Sequence, residues 1–273
     1  MNKLAIPAAT RIYTLKKTES NPYADTLDTI RLQLELCHYQ EQTIKAYMGQ
    51  LCAFINHIQP MTPDAVSSQM MTAYINSLTE VGAARSTVDQ AITALDYLSR
   101  ELLHEPLDAN ALKRPPKAAS NPVLLTADEV AEIAMSAENP KHRLMIELMS
   151  SAGLRVSEIV NVRVTHLNLD KGILYVPGNQ RIKSRTTQFD LCLQDALSRQ
   201  IGKKEKDDYL FPSEKGGRLT TRSVAKFFKA ALLASNIQKD ATPHSLRQSF
   251  TESLVEKGLD PISIQQILGR ATL

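Results

Sequence analysis

The chain has 273 residues, of which 43% are apolar and 22% charged, and this composition excludes an intrinsically disordered chain. Its length suits one large domain or two ordinary ones, and no apolar run approaches the length that spans a bilayer. The net charge of +3 is uneven, because residues 1–120 hold 11 Lys and Arg against 12 Asp and Glu, whereas residues 121–273 hold 21 against 17.

The first residues and the cysteines indicate the compartment. The opening stretch MNKLAIPAATRIYTL has no sustained apolar core and no clear cleavage site, so we predict no signal peptide. Cys37, Cys52 and Cys192 lie far apart and include no CxxC pair, which is typical of reduced thiols that are buried or half-buried. We therefore expect a cytoplasmic protein without disulfides or structural zinc.

The first third of the chain has the periodicity of helices. Apolar residues recur at helical spacing in four segments, which are 26–39, 42–58, 64–78 and 85–102. In the second segment one face carries Ile44, Tyr47, Met48, Leu51, Phe54, Ile55 and Ile58. Short links between the segments predict a four-helix domain that buries its own core.

A proline-rich stretch separates the two halves. Residues 104–122 hold four prolines and show no clean periodicity, which favours an extended connector. We therefore predict a helical domain over 1–110, a linker over 111–122 and a second domain over 123–273.

The second half mixes helices with a small sheet. Thr126 and Glu129 have the spacing of a capping box, so a helix is expected over 126–137, and another should reach about Ala152 before an amphipathic helix at Arg155. The pattern then predicts strands at 172–178 and 186–193 and helices at 194–201, 221–234, 244–257 and 261–268. The predicted fold class is mainly α with a small antiparallel β-sheet.

The stretch TPHSLRQSF (242–250) predicts an anion site at the start of a helix. Thr242 can cap the helix and Pro243 suits its first turn, so His244 and Arg247 share one face. The helix end offers unpaired N–H groups and a partial positive charge, which suit a phosphate. A bare HxxR spacing is more often an ordinary surface pair, and the Thr-Pro start makes this one more specific.

Three further stretches carry candidate phosphate ligands. In AGLRVSEI (152–159), Arg155 follows a glycine turn and Glu158 can hold its guanidinium. Lys183 lies near the tip of the predicted hairpin, where the alternative is a solubilising turn lysine. In ILGR (267–270), Arg270 follows a helix-ending glycine, which also fits a plain C-terminal cap.

The order AGLRVSEI, hairpin lysine, HSLR and ILGR resembles the catalytic domain of the tyrosine site-specific recombinases, the phage integrase family. The segment LFPS (210–213) fits as well. The first third and the linker resemble the family's core-binding domain, so the resemblance covers nearly the whole chain. It implies an N-terminal four-helix DNA-binding domain and an α+β integrase-like catalytic domain. The compact size is similar to Xer-type recombinases or transposon-borne cointegrate resolvases.

The resemblance assigns roles to five residues. Arg155 and Arg247 match the two arginines that clamp the scissile phosphate. Lys183 matches the lysine that protonates the leaving 5′ oxygen, and His244 the histidine that assists proton transfer. Glu158 matches the acidic residue that supports the first arginine.

Other basic residues follow from the same comparison. Arg270 stands where the family usually has His or Trp, so a role in binding is expected of it rather than a role in proton transfer. Arg181 and Arg185, in the basic hairpin, are expected to bind DNA. The family's nucleophilic tyrosine should follow the ILGR motif within about one short helix, and the 273 residues contain none there. We expect it in a tail beyond Leu273.

The implied reaction needs no metal and no cofactor, and the sequence holds no P-loop motif. The implied partners are double-stranded DNA with a specific site and further copies of the chain, as a tetramer on two sites, with accessory proteins left open and no membrane. Two alternatives stay open. One is a catalytically inactive DNA-binding relative, and the other is a metal-free phosphodiesterase that uses His244 and Lys183 on RNA.

Overall fold

A computed structural model describes residues 21–116, 121–178 and 183–269 of the chain. The chain divides into two compact units, with the division between residues 119 and 120. We refer to them as the N-terminal unit and the C-terminal unit and describe each by itself.

Between residues 21 and 116, the N-terminal unit is a bundle of four α-helices. Their bounds are α1 Ala24–Leu36, α2 Glu41–Ile58, α3 Ser68–Glu80 and α4 Arg85–Leu102, with 3₁₀ turns at Pro63–Ala65 and Ala109–Ala111. Six of the seven residues predicted to line one face of α2 are buried, and the seventh, Tyr47, is partly buried. Helix α3 begins four residues later than predicted, because Pro63 starts a 3₁₀ turn and the Ser67 hydroxyl then caps the helix by accepting from Met70 N.

The first residues of the predicted linker lie against α3 and α4. Asn76 Oδ1 accepts from Lys113 N at 2.8 Å, and Thr79 Oγ1 donates to the Lys113 carbonyl at 2.9 Å. Arg85 Nη1 donates to the Pro115 carbonyl at 2.9 Å. Side chains of α3 and α4 thus form hydrogen bonds with the backbone of residues 113–115. Pro115 and Pro116 have no backbone N–H to donate.

In its described residues, the C-terminal unit combines seven α-helices with a three-stranded sheet. The helices are α5 Ala127–Met135, α6 Pro140–Ala152, α7 Val156–Ile159, α8 Gln194–Ile201, α9 Thr221–Ala234, α10 Pro243–Glu256 and α11 Pro261–Leu268, with 3₁₀ turns at Val164–His166 and Leu191–Leu193. The strands are β1 Leu167–Asn168, β2 Ile173–Val176 and β3 Arg185–Gln188, and they pair antiparallel in the order β1-β2-β3. The predicted fold class is confirmed.

Three local predictions needed correction. The sheet has a third strand, β1, which is too short to give a sequence pattern. Strand β3 ends at Gln188, because the Asp190 side chain accepts from Cys192 N and starts a 3₁₀ turn. The helix after Arg155 is a single turn rather than a longer amphipathic helix.

Helix α6 lies at the centre of the C-terminal core. Its buried residues pack with those of α5, α9 and α10, and they are Leu144, Met145, Ile146, Leu148, Met149 and Ala152. The capping box predicted for α5 is confirmed, with Glu129 N donating to Thr126 Oγ1 at 3.2 Å and Thr126 N donating to Glu129 Oε2 at 2.8 Å. Hydrogen bonds between neighbouring residues thus fix the start of α5, whereas packing of its buried side chains positions α6.

Two further observations concern the surface. Cys37 and Cys192 are exposed and Cys52 is partly buried, so only one of the three thiols has the predicted burial. In the part of the chain that the structure describes, no helix is both long and apolar enough to cross a bilayer.

Candidate active site

Arg155 lies at the junction of α6 and α7. Helix α6 ends at Gly153 with φ +60°, and Arg155 then caps α7. Its backbone N–H donates to Glu158 Oε2 at 2.8 Å, and its Nη1 donates to Glu158 Oε1 at 2.7 Å. The side chain is 26% exposed, so part of the guanidinium faces solvent. The predicted partnership of Arg155 with Glu158 is present in the structure.

Arg247 reaches the same place from α10. It is buried, and its Nη1 donates to the Gly153 carbonyl at 2.6 Å while its Nη2 donates to the Leu268 carbonyl at 2.6 Å. The Leu268 carbonyl also accepts from Arg155 Nη1 at 3.4 Å. The end of α11 therefore joins two arginines that are 92 positions apart in the sequence.

Gly153 permits this close approach for two reasons. Its positive φ is costly for residues with a Cβ. A Cβ built at this position would also lie 2.3 Å from Phe250 Cδ1, on the helix that carries Arg247. A glycine is therefore required both by the backbone conformation and by the contact of α6 with α10.

Glu158 is the hub of the cluster. Besides Arg155, it accepts from Arg185 Nη1 at 2.7 Å and Arg185 Nη2 at 2.8 Å, and it lies 3.7 Å from Arg247 Nη1. Burial alone would raise the pKa of this carboxyl. The hydrogen bonds from Arg185 and from the Arg155 backbone, with the charge of Arg185, outweigh burial and lower the pKa to about 2. Glu158 is therefore ionised at neutral pH.

Arg185 occupies a different position from the one expected of a DNA-contacting residue. Its side chain is only 4% exposed, and both terminal nitrogens bind Glu158. The guanidinium is directed into the protein, because β3 begins at this residue and turns it toward α7. Sequence reasoning found the residue and missed its partner, which lies 27 positions away.

The other predicted site residues are distributed as follows. Lys183 is exposed, two residues before β3, and His244 is exposed in the first turn of α10, three residues before Arg247. Arg181 and Arg270 lie outside the described residues. The contacts given above join Arg155, Glu158, Arg185 and Arg247 and do not extend to Lys183, whose place relative to the phosphate stays a prediction.

The electrostatics of the cluster favour an anion. Three guanidinium groups face one carboxylate, which leaves an excess of two positive charges. Planar guanidinium groups bind carboxylate or phosphate oxygens in pairs. Within the described ranges, no group of His, Cys, Asp or Glu is arranged to hold a metal ion. The cluster is therefore equipped to bind a phosphate oxygen.

A cavity of about 460 Å³ lies beside Glu158. Its lining includes Arg163, which stacks on the Tyr209 ring at 4.5 Å, and His166, whose Nδ1 accepts from Arg163 N at 3.1 Å. Burial, and then the charge of Arg163, lowers the pKa of His166. Sequence analysis did not single out these residues, and no local motif marks them, since their contacts form only in the folded unit.

Comparison with known proteins agrees with this architecture. Residues 124–273 match the phage integrase family, and residues 27–109 match the phage integrase N-terminal SAM-like domain. The chain therefore belongs to the phage integrase family, the tyrosine site-specific recombinases. Family membership places it among enzymes of DNA recombination, as the resemblance implied.

The relatives narrow the type. Tyrosine recombinase XerA of Pyrococcus horikoshii is 30% identical over 265 residues, which is 95% of this chain and 90% of that protein. Tyrosine recombinase XerD of Oceanobacillus iheyensis is 28% identical over 252 residues, covering 85% of each. These similarities support a recombinase of the Xer type.

Solved structures share the fold. A lambda integrase tetramer bound to a Holliday junction has a TM-score of 0.72 at 21% identity, covering 91% of this chain and 77% of that one. The Tn1549 transposon integrase in complex with circular intermediate DNA has a TM-score of 0.69 at 17% identity, covering 90% and 92%. At these identities the likeness shows the fold alone.

Proposed function

We propose that the protein cleaves and rejoins DNA strands at a specific site through a covalent 3′-phosphotyrosine intermediate, and that it resolves or integrates mobile DNA or resolves replicon dimers. The arginine cluster around Glu158 would hold the scissile phosphate. The observation that carries the proposal is the convergence of Arg155 and Arg247 on one carboxylate and one carbonyl.

The charge of the cluster suits the transition state of such a reaction. A phosphodiester carries one negative charge, and its pentacoordinate transition state concentrates more charge on the equatorial oxygens. Fixed arginines stabilise that state more than the ground state, and each donor supplies on the order of 3 kcal/mol by analogy with oxyanion-hole donors. Arginines would thus provide the positive charge that metal ions provide in other phosphoryl-transfer enzymes.

The proposed reaction conserves the number of phosphoester bonds. A tyrosine hydroxyl attacks the phosphorus, and the bond from phosphorus to the 5′ oxygen breaks as the tyrosyl ester forms. Lys183 would give a proton to the leaving 5′ oxygen, and His244 would assist the transfer of the tyrosine proton. The reverse attack by a 5′-hydroxyl rejoins the strand, so no ATP is consumed. Arg270 would add a further donor to the phosphate.

The assembly is proposed from the neighbours of the fold. One of them is described as an integrase tetramer bound to a Holliday junction. We propose that four copies of this chain act on two DNA sites and exchange strands in pairs. The basic excess of residues 121–273 supports contact with the DNA backbone.

A nicked duplex tests the covalent step. The bound site is first selected from random duplexes, and a nick is then placed so that the cleaved end diffuses away. The protein should leave a denaturant-resistant adduct with DNA. Arg247→Ala should lower adduct formation at least about 100-fold while it retains much of the binding. Arg143→Ala is the matched control, because within the described ranges the hydrogen bonds of Arg143 go to the carbonyls of Ala134 and Met135, away from the cluster.

Three other outcomes would contradict the proposal. Site-specific binding without any adduct would refute cleavage and indicate a DNA-binding relative. Cleavage of RNA without an adduct would indicate a phosphodiesterase. An equal loss of adduct in both arginine variants would mean that general charge, and not the cluster, controls the reaction. Thermal unfolding of Arg247→Ala separates a lost fold from a lost clamp.

A further inference from the structure

Arg185 is buried and contacts Glu158. Its two terminal nitrogens bind the two oxygens of Glu158, at 2.7 and 2.8 Å, in a parallel bidentate pair. Such a pair fixes the plane of a carboxylate as well as its position. Arg155 binds the same carboxylate through a single side-chain nitrogen, Nη1. Glu158 Oε2 also accepts from the Arg155 backbone N–H at 2.8 Å, so Arg155 and Arg185 together orient Glu158, and the bidentate side-chain pair comes from Arg185.

The stem of Arg185 also contacts the end of α11. A Cβ built on Gly269 would lie 2.9 Å from Arg185 Cδ and 3.1 Å from its Nη1. The adjacent Leu268 carbonyl accepts from both Arg155 and Arg247. Arg185 thus connects β3 with α7 and with the end of α11, the two places that orient the other arginines.

Arg155 is the most exposed of the three arginines that surround Glu158. The side chains of Arg185 and Arg247 are 4% and 3% exposed, whereas that of Arg155 is 26% exposed. Among the residues that the structure describes, Nη1 is the only side-chain nitrogen of Arg155 that makes a hydrogen bond. Its Nη2 and Nε therefore stay available to a ligand.

The burial of Arg185 leaves one of its nitrogens without a hydrogen bond to any described residue. Its Nε is buried and has no hydrogen-bond partner within the described part of the chain. A buried donor without a partner destabilises the fold, and an apolar side chain would avoid that cost. Only an arginine side chain has the planar fork that makes two parallel hydrogen bonds to the Glu158 carboxylate.

We propose that Arg185 is a positioning residue, which holds Glu158 so that Arg155 presents its outer nitrogens to the scissile phosphate. This inference rests on the proposed function and adds a residue to it. Without Arg185, the Glu158 carboxylate can rotate and pair with both terminal nitrogens of Arg155, which withdraws them from the ligand. Arg185 itself does not touch the DNA.

The test compares binding of two duplexes by the 273-residue chain. One has the natural phosphate at the clamped position, and the other has a neutral methylphosphonate there. To find that position, each phosphate of the selected site is replaced in turn by a methylphosphonate. The clamped position is the one at which the replacement weakens DNA binding by the parent chain but does not weaken DNA binding by Arg155→Ala. The ratio of the two Kd values reports the clamp and cancels effects on overall affinity.

The parent chain should prefer the phosphate about tenfold, as expected for a charge-assisted hydrogen bond. Arg185→Met should bring the ratio close to that of Arg155→Ala, and the double variant should lose no more. Arg185→Lys, which keeps the charge but can make only a single-point contact, should give an intermediate ratio. Arg143→Met removes the same charge elsewhere and should keep the parent ratio. Thermal unfolding shows which variants are folded.

The outcomes are distinguishable. If folded Arg185→Met keeps the parent ratio while Arg155→Ala lowers it, Arg185 is not a positioning residue and the proposed function stands. If Arg155→Ala also keeps the parent ratio at every position, the phosphate clamp itself is wrong. Should Arg185→Met fail to fold, Arg185→Lys decides, because a parent ratio in that variant contradicts the need for a bidentate brace.

Discussion

Neutralisation of Glu158 should destabilise the C-terminal unit in a way that depends on pH. Glu158→Gln keeps the shape of the side chain and removes its charge, so Arg155, Arg185 and Arg247 lose their common counter-charge. The pKa of Glu158 falls from an ordinary 4.5 to about 2 in the folded protein, after the arginine hydrogen bonds outweigh burial. Because the folded-state pKa is the lower one, the carboxylate stabilises the fold above pH 4.5, and this contribution disappears as the pH falls toward 2.

The size of the effect follows from that shift. A decrease of one pKa unit corresponds to about 1.4 kcal/mol, so the carboxylate contributes about 3 kcal/mol at pH 7. By pH 3 the folded state still favours the ionised form, and the remaining contribution is about 1 kcal/mol. The value at neutral pH agrees with the roughly 3–5 kcal/mol expected when one partner of a buried ion pair is removed.

Urea unfolding followed by circular dichroism measures the effect. The free energy of unfolding of Glu158→Gln should lie about 3 kcal/mol below that of the parent at pH 7, and the gap should shrink to about 1 kcal/mol at pH 3. Glu132→Gln, at an exposed position on α5, is the control and should show no gap at either pH. A gap of equal size at both pH values, or none at pH 7, would refute the assignment of Glu158 as the charged hub.

Two further variants test the local structure that holds the site. Gly153→Ala should destabilise the protein by about 1–3 kcal/mol more than Gly258→Ala, because both glycines have positive φ but only at Gly153 does a Cβ meet Phe250. Equal losses in urea unfolding would contradict the close contact. Thr126→Ala should cost about 1 kcal/mol through loss of the cap on Glu129 N, whereas Thr126→Ser keeps the hydroxyl and should cost less. The same unfolding assay tests this pair, and equal costs would count against the capping box.

Local signals in the sequence were sufficient for most of the secondary structure. The spacing of apolar residues located α2 and α4, because each helix buries one face against its neighbours. Such a face repeats every three or four residues, and this repeat can be read directly from the sequence. The capping box located the start of α5 in the same way. Strand β1 was not predicted, and the helix after Arg155 was predicted without its single-turn length, since two and four residues are too few to show a period.

The motifs identified Arg155, Glu158 and Arg247 before any contact was known. The pairing of Arg155 with Glu158 could be predicted because the two residues are one helical turn apart. Lys183 and His244 came from the resemblance to the family, and their roles in catalysis stay predictions. The comparisons confirm the family that the sequence resembles, whereas the domain bounds and the roles of the site residues stay predictions.

The contacts of Arg185 were decided only by the tertiary structure. In the sequence it is one basic residue of a hairpin, and a basic hairpin is ordinarily a solvated or DNA-facing element. In the folded unit, β3 directs it onto a carboxylate 27 positions away, and the end of α11 covers its stem. Hydrogen bonds of this kind depend on which elements pack together, and packing is a property of the whole core that no local pattern contains.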